Sequence, residues 1–468
     1  MSTAICDLSA VEMARLIRAG DLSARETVHA HLDRIACANA KVNAIVTLTA
    51  ERALEQALRA DEAQSHGKAL GPLHGLPVAH KDLQPTRGVR TTFGSPIFRD
   101  FVPEADSLLV ERVRNAGAIS LGKTNTPEFG AGSQTHNEIF GATLNPWDTT
   151  KTCGGSSGGS AVALACGMAA LADGSDLGGS LRNPASYCGI VGMRPSPGRV
   201  PAWPVPMAWS PLSVEGPLGR TVGDVALFLS ALAGPDDRAP LSIAQTGSRF
   251  AASLEREFKG TRVAWWRDLG GIPVDHEVRN ITNAQRGVFE SLGCIVEEAE
   301  PDWEGVDETF RTLRFWMSGL RLGDTARQHP EFVKDTLRWE IEQSRALSAT
   351  DVGMALIKHT EIVERMRRFM EGYPFFVLPV SQVPPFGVTQ HYPAEIGNTK
   401  MDSYIDWMKS CYYISTTAAP AISVPCGFTR GGLPVGIQIV GRHRDDFGLL
   451  QMASAFEEAV AISERARW

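Results

Sequence analysis

Residues 154–160 read GGSSGGS: three serine hydroxyls carried on four glycines, with no charge and no large side chain. A serine attacks only when a base takes its proton, so chemistry here requires a partner. Histidine is the usual one, and the pattern GxSxG fits around Ser156 and again around Ser157. A nucleophile elbow needs a strand before the serine and, later in the chain, an acid and then a histidine. Here Cys153 follows NPWDTTKT, a polar, turn-rich segment, and the nearby histidines His74, His80 and His136 all precede the serines. His29 and His31 are two apart on a helical pattern and face different sides, which makes them poor co-ligands. A neutral lysine is the other available base: its ordinary pKa is ~10.4, and full burial can lower it by up to ~5. Lys81 closes the apolar run in GLPVAHKDL, where a side chain on the buried face would lose its hydration. The commoner fate of a lysine beside an aspartate, here Asp82, is the surface.

Other chemistries are excluded by context. GAISLGKT, residues 117–124, satisfies GxxxxGK[ST] letter for letter. In a phosphate loop a strand precedes the first glycine and a helix follows the lysine, so that backbone N–H groups meet the phosphates. Here AISL is itself strand-like, and the succeeding TNTPEFG holds Pro127 and Gly130 against an immediate helix. The eight cysteines, from Cys6 to Cys426, form no CxxC pairs and have no histidines at zinc spacing. Reduced thiols, no metal and a cytoplasmic location are the expectation. A net charge of −7 without a basic stripe excludes a nucleic-acid partner. No apolar stretch reaches the ~18 residues of a membrane span, and the N-terminus reads as an amphipathic helix rather than a signal peptide.

The elements that must position these residues alternate. With 43% hydrophobic and 21% charged residues over 468 positions, the composition is that of a globular protein. Residues 8–64 carry helical periodicity, with Asp21 and Ser23 as caps around a break at Gly20. From 71 to 223, short apolar runs (LPVAHKDL, GAISLGK, GMAALADGSD, YCGIVGM) alternate with helix-like pieces and glycine or proline loops, the pattern of a sheet covered by helices. The alternation continues with TRVAWW as a strand and 278–292 as a helix. Residues 303–370 read as mostly helical, and strands return at FFVLPV, PAISVPC and GIQIVG before a closing helix over 445–459. Without repeats or low-complexity linkers, the chain reads as one domain, 1–468, with an N-terminal helical segment over 1–64 and an inserted helical cover over 303–370 near the substrate cleft.

In order, GLPVAHKDL, LGKTNTPEFG, CGGSSGGS and GSDLGGSLRNPASYCGIVGMRPSPGRV, followed by GPLGRTVGDVA and GLPVGIQIVG, resemble the amidase signature family, serine hydrolases of amide bonds. The resemblance covers nearly the whole chain. It implies an α/β fold, a large twisted mixed sheet sandwiched between helices. It also implies a catalytic lysine at Lys81, a bridging serine at Ser156 after a cis peptide, and a nucleophile at Ser180, 24 positions beyond Ser156. Neutral Lys81 would take a proton from Ser156, which takes one from Ser180, and the backbone N–H groups of Leu177, Gly178, Gly179 and Ser180 would receive the oxyanion. Asp176 and Arg182 would hold the nucleophile loop, and Ser157 would act as a structural donor.

Gly130, Ala131 and Gly132 fall where family members line the acyl pocket, and their small size suggests room for a bulky or planar group. Trp203, Trp209, Phe315 and Trp316 are candidates for its walls, against the commoner fate of aromatics as core. The chain has PSPGRVP where many relatives have a threonine after the proline. The expected substrate is a small-molecule linear amide, aryl or alkyl, with carbamates, esters and cyclic imides open to the same oxyanion hole. No cofactor is implied, and family members are often homodimers. The alternative within the resemblance is the A component of a glutamine amidotransferase, which feeds ammonia to a tRNA-dependent partner. That reading requires glutamine anchors, which the sequence does not identify.

Overall fold

The apolar, β-branched runs form strands in the computed structural model, which describes residues 2–462 and 464–466. Eleven of them build one sheet: β1 (Ile45–Leu48), β2 (Pro77–Lys81), β3 (Ile119–Thr124), β4 (Leu171–Asp176), β5 (Val191–Arg194), β6 (Val214–Gly219), β7 (Arg262–Trp265), β8 (Ile295–Glu298), β9 (Phe375–Pro379), β10 (Ala421–Phe428) and β11 (Pro434–Gly441). Their order across the sheet is β1-β3-β2-β4-β6-β5-β10-β11-β9-β7-β8. β3, β2 and β4 run parallel, and β4 pairs antiparallel with β6. The sheet is therefore mixed, as expected.

Both faces of the sheet are buried, which is why its strands read as near-continuous apolar runs. On β2, Val78 joins one core cluster while Ala79 joins another; on β4, Leu171 and Ala172 divide in the same way. Adjacent residues of a strand point to opposite faces, so each strand feeds two cores. The register pairs Val78 with Leu171 and Ala79 with Ala172. The ends of β2 and β4 therefore lie side by side, and Lys81 stands next to the loop that leaves β4 at Asp176.

The residues of GAISLGKT lie in a strand rather than a phosphate loop. Residues 119–124 are β3, and a short 3-10 turn, Glu128–Gly130, comes next. Lys123 is buried and donates to the carbonyl of Gln84 and to Thr86 Oγ1, the latter at 2.9 Å. The helical reading of 8–64 holds for Ala10–Ala19, Ala24–Val42 and Ala50–Ser65. It misses β1, whose four residues, IVTL, are too few to show a period between two helices. Gly20 ends its helix in the left-handed region (φ 81°), and Ser23 caps the next through a capping box with Glu26. Residues 303–370 contribute the helices Val306–Gln328 and Asp335–Arg345 and most of Ala349–Gly372.

β1 approaches β3 so closely that a Cβ on Gly122 would stand 1.9 Å from the carbonyl oxygen of Thr47, and Gly122 has φ +139°. Gly122→Ala must part the two strands. The expected loss is on the order of 2–3 kcal/mol, at the upper end of ordinary point substitutions. It is checked by chemical denaturation, and an unchanged midpoint would contradict this packing.

Candidate active site

Lys81 is fully buried at the end of β2. Its Nζ lies 2.7 Å from Ser156 Oγ, 2.9 Å from Ser157 Oγ and 3.1 Å from Ser175 Oγ. All three partners are hydroxyls, and no carboxylate bonds the amine among the described residues. Burial pulls the Lys81 pKa down to about 7, against the opposing pull of the Asp176, Asp173 and Glu215 charges. The backbone that carries the lysine is fixed by Asp173, which accepts from Lys81 N (2.9 Å) and contacts His80 Nδ1 (2.5 Å).

The serine-rich segment is packed, not loose. The Gly155–Ser156 peptide is cis. Ser133 Oγ donates to the Gly155 carbonyl and Thr135 Oγ1 to that of Gly154, each at 2.9 Å. A Cβ on Gly158 would come within 2.2 Å of Thr135 Oγ1, and one on Gly159 within 2.3 Å of Asn125 N. These glycines are there because the neighbouring chain leaves no room for a side chain. Helix Gly158–Ala165 begins at once behind them.

The second loop is organised around one carboxylate. Asp176 accepts from Gly179 N (2.9 Å), Leu181 N (3.1 Å), Arg182 Nε (3.0 Å) and Arg182 Nη2 (2.9 Å). Arg194 Nη1 stands 3.3 Å away. Burial alone would raise the Asp176 carboxyl, but the two guanidinium groups outweigh it and hold the carboxyl well below the usual carboxylate range. Arg182 spends its other donors on the Cys411 carbonyl (3.0 Å), Ser415 Oγ (2.7 Å) and Gln438. The loop so held delivers Ser180, and Ser157 N donates to the Ser180 carbonyl at 3.3 Å, tying the two serine segments together.

One expected oxyanion donor is already engaged. The Gly179 N–H points to Asp176, leaving Leu177, Gly178 and Ser180 as the loop's remaining N–H groups. Gly179 has φ +118°, and a Cβ there would lie 2.5 Å from Cys411 Cβ.

Ser180 stands where two chambers meet. The larger, about 440 Å³, is also lined by Ser156, Ser175, Gln84, Glu215 and Trp203. The smaller, about 70 Å³, is lined by Gly130, Ala131, Gly132, Leu177 and Gly178. The room that these small residues leave is taken by Phe129, Met317, Leu322, Leu337 and Met408, so the chamber is tight rather than bulky. Of the four aromatics read as wall candidates, only Trp203 lines either of these chambers among the described residues. Trp209 is 75% exposed, Phe315 packs edge-on against Trp339 at 5.2 Å, and Trp316 packs beside Leu212 and Leu313. Sequence reasoning missed Ser175, Glu215, and the buried Arg314–Glu340 pair with Tyr404 and Ser318 on Glu340. These contacts depend on which elements become neighbours, and no short spacing announces them.

Asp176→Asn leaves two buried guanidinium groups facing a neutral amide. Breaking such a pair costs about 3–5 kcal/mol. Urea unfolding should show a loss of that size, and a variant as stable as the native chain would contradict the role given to this carboxylate.

Comparison with known proteins gives one family. The sequence profile of the Amidase family matches residues 26–450. An acylamidase of Rhodococcus erythropolis is 37% identical over 455 residues, covering 96% of this chain and 95% of that one. The A component of the glutamyl-tRNA(Gln) amidotransferase of Synechococcus sp. (strain CC9605) is 35% identical over 478 residues, covering 97% of each. Among solved structures, a bacterial aryl acylamidase of the amidase signature enzymes superposes with a TM-score of 0.91 at 27% identity over 97% of both chains. The profile spans most of the length, and the fold and motif order agree with it. The chain belongs to the amidase signature family of hydrolases.

Proposed function

We propose that this chain hydrolyses carboxamides to a carboxylate and ammonia or an amine through an acyl-enzyme on Ser180. The observation that carries the reading is a fully buried amine, Lys81, bonded only to hydroxyls and 2.7 Å from Ser156 Oγ. A neutral Nζ accepts the Ser156 proton, Ser156 Oγ accepts that of Ser180, and Ser180 Oγ adds to the carbonyl carbon. The negative charge on the former carbonyl oxygen is met by backbone N–H groups from Leu177, Gly178 and Ser180, and loss of one such donor costs about 3 kcal/mol of barrier. Collapse of this intermediate expels the nitrogen, which takes a proton from Ser156 as Ser156 is resupplied by Lys81. Water then enters, gives its proton back through the same hydroxyl, and cleaves the acyl-enzyme.

The two halves of the substrate are assigned by the proton path. Ser156 lines the larger chamber and is not among the lining of the smaller. The nitrogen that Ser156 protonates therefore departs into the larger chamber, and a short acyl group occupies the smaller. The relation to acylamidases of 37% identity in sequence and 0.91 in TM-score supports amides over other acyl compounds. A second reading, the ammonia-supplying component of a tRNA-dependent amidotransferase, has the support of the 35% identical relative from Synechococcus. Glutaminase activity that appears only with an added partner protein would favour it.

The test is a panel of short-chain amides and matched esters. Ser180→Ala should abolish turnover, and Lys81→Ala should lower it by about 10²–10⁴-fold, the range of general base catalysis. Ser156→Ala should harm amides more than esters, because an amine leaves only when protonated and an alkoxide leaves more readily. Full turnover in both Ser180→Ala and Lys81→Ala would overturn the assignment.

The pH profile follows from the same amine. The active form of Lys81 is neutral and grows as pH rises through about 7, so kcat/KM should fall on the acid side of that value and level off above it. An acid limb that rises only above pH ~9, toward the ordinary lysine range, would place the base elsewhere.

A further inference from the structure

Helix Val306–Gln328 turns one face to the chambers, and the residues on it follow helical spacing: Arg314, Met317, Ser318, Arg321 and Leu322. The polar groups of this face are spent, with one exception. Arg314 Nε donates to Glu340 Oε1 at 2.6 Å, and its Nη2 to Tyr404 Oη at 3.1 Å. Ser318 Oγ donates to Glu340 Oε2 at 2.6 Å, so both oxygens of Glu340 are taken. One helical turn beyond Met317 and two beyond Arg314, Arg321 makes no hydrogen bond and no ion pair among the described residues. The next acid along the helix, Asp324, is paired with Arg327.

Arg321 is one of the few residues that line both chambers, together with Ser180, Phe129, Gly130, Leu177 and Met317. A guanidinium with five fixed donors therefore stands on the ring that surrounds the nucleophile, exposed to the cleft and without a protein anion to satisfy it. Arginine is the side chain whose geometry matches a carboxylate in two parallel hydrogen bonds. A wholly neutral substrate would leave this charge unused while the ligand displaced its water.

We propose that Arg321 is the docking point for a carboxylate on the substrate, so that the amides this site takes carry an anionic group a few bonds from the scissile carbonyl. The proposal rests on the hydrolase reading for the position of that carbonyl. It is independent of that reading in the anion site itself. Arg321 acts here on specificity; it takes no proton and forms no bond in the reaction.

Two matched pairs test it. Succinamate against butyramide places the carboxylate on the acyl half, and N-acetylglycine against N-ethylacetamide places it on the amine half. In at least one pair the native chain should favour the carboxylate member by about tenfold or more in kcat/KM, chiefly through KM, the scale of one charge-assisted bidentate contact. Arg321→Gln should remove that preference, and Arg321→Lys should keep part of it, which a merely structural role would not predict. In parallel, succinate, which has no amide to cleave, is titrated calorimetrically into Ser180→Ala and into Ser180→Ala with Arg321→Gln. Weaker binding by about tenfold in the second protein is expected.

No preference in either pair, or a preference that survives Arg321→Gln, overturns the proposal, as does equal binding of succinate by both proteins. If the native chain cleaves no amide at all, the hydrolase reading fails while the succinate titration still decides the anion site. Melting curves identify a variant that has failed to fold, and Arg321→Lys then carries the comparison.

Discussion

Everything in the site depends on an amine held out of water with no carboxylate bonded to it. Lysine in such a place keeps its charge only at considerable cost, so burial pulls its proton affinity toward neutrality. Three hydroxyls within 3.1 Å satisfy the nitrogen without fixing the charge, because a hydroxyl accepts from an ammonium and equally donates to an amine. A carboxylate in any of these positions would lock Lys81 as an ammonium. The β2 strand, the packed glycines around Ser156 and the neighbouring β4 serve one end: they exclude water from this nitrogen and bring only neutral partners to it.

The same region also buries full charges, and it keeps them apart by pairing. Asp176, Arg182 and Arg194 form a fully buried cluster behind the Ser180 loop, with the carboxylate shared between two guanidinium groups and two backbone N–H groups. Their role is positional. Asp176 closes the loop on itself through Gly179 and Leu181, and Arg182 ties it to Ser415, Gln438 and the Cys411 carbonyl from a distant part of the chain. Burial acts on both groups, but the paired acid keeps its charge while the unpaired amine is pulled toward losing its own.

How much of this was legible depended on the range of the contacts. Lys81 drew notice by closing an apolar run, but its place beside Asp82 pointed to the surface, and only the order of the motifs reversed that reading. GAISLGKT was separable from a phosphate loop by its strand-like interior and the segment after it, and the structure makes its last six residues β3. β1 was lost because four residues between two helices carry too short a pattern to read. The glycines of GGSSGGS were visible but their reason was not: the want of space comes from Thr135 and Asn125, which the sequence places elsewhere. The role of Ser180 and the pairing with Ser156 came from motif order and not from periodicity. Ser175, Glu215 and Arg321 were silent, for each gains meaning only when strands and helices far apart in the chain are brought to one cavity.

The division of labour along the chain has a further consequence. The lysine and both serine segments come from residues 81 to 182, built on adjacent parallel strands. Much of the wall of the smaller chamber comes instead from helices within 306–345, which share no backbone hydrogen-bond ladder with those strands. Inherited changes in the later segment can therefore reshape that chamber while the arrangement of Lys81, Ser156 and Ser180 stays intact. A single ancestral reaction can in this way be retained while its clientele diverges.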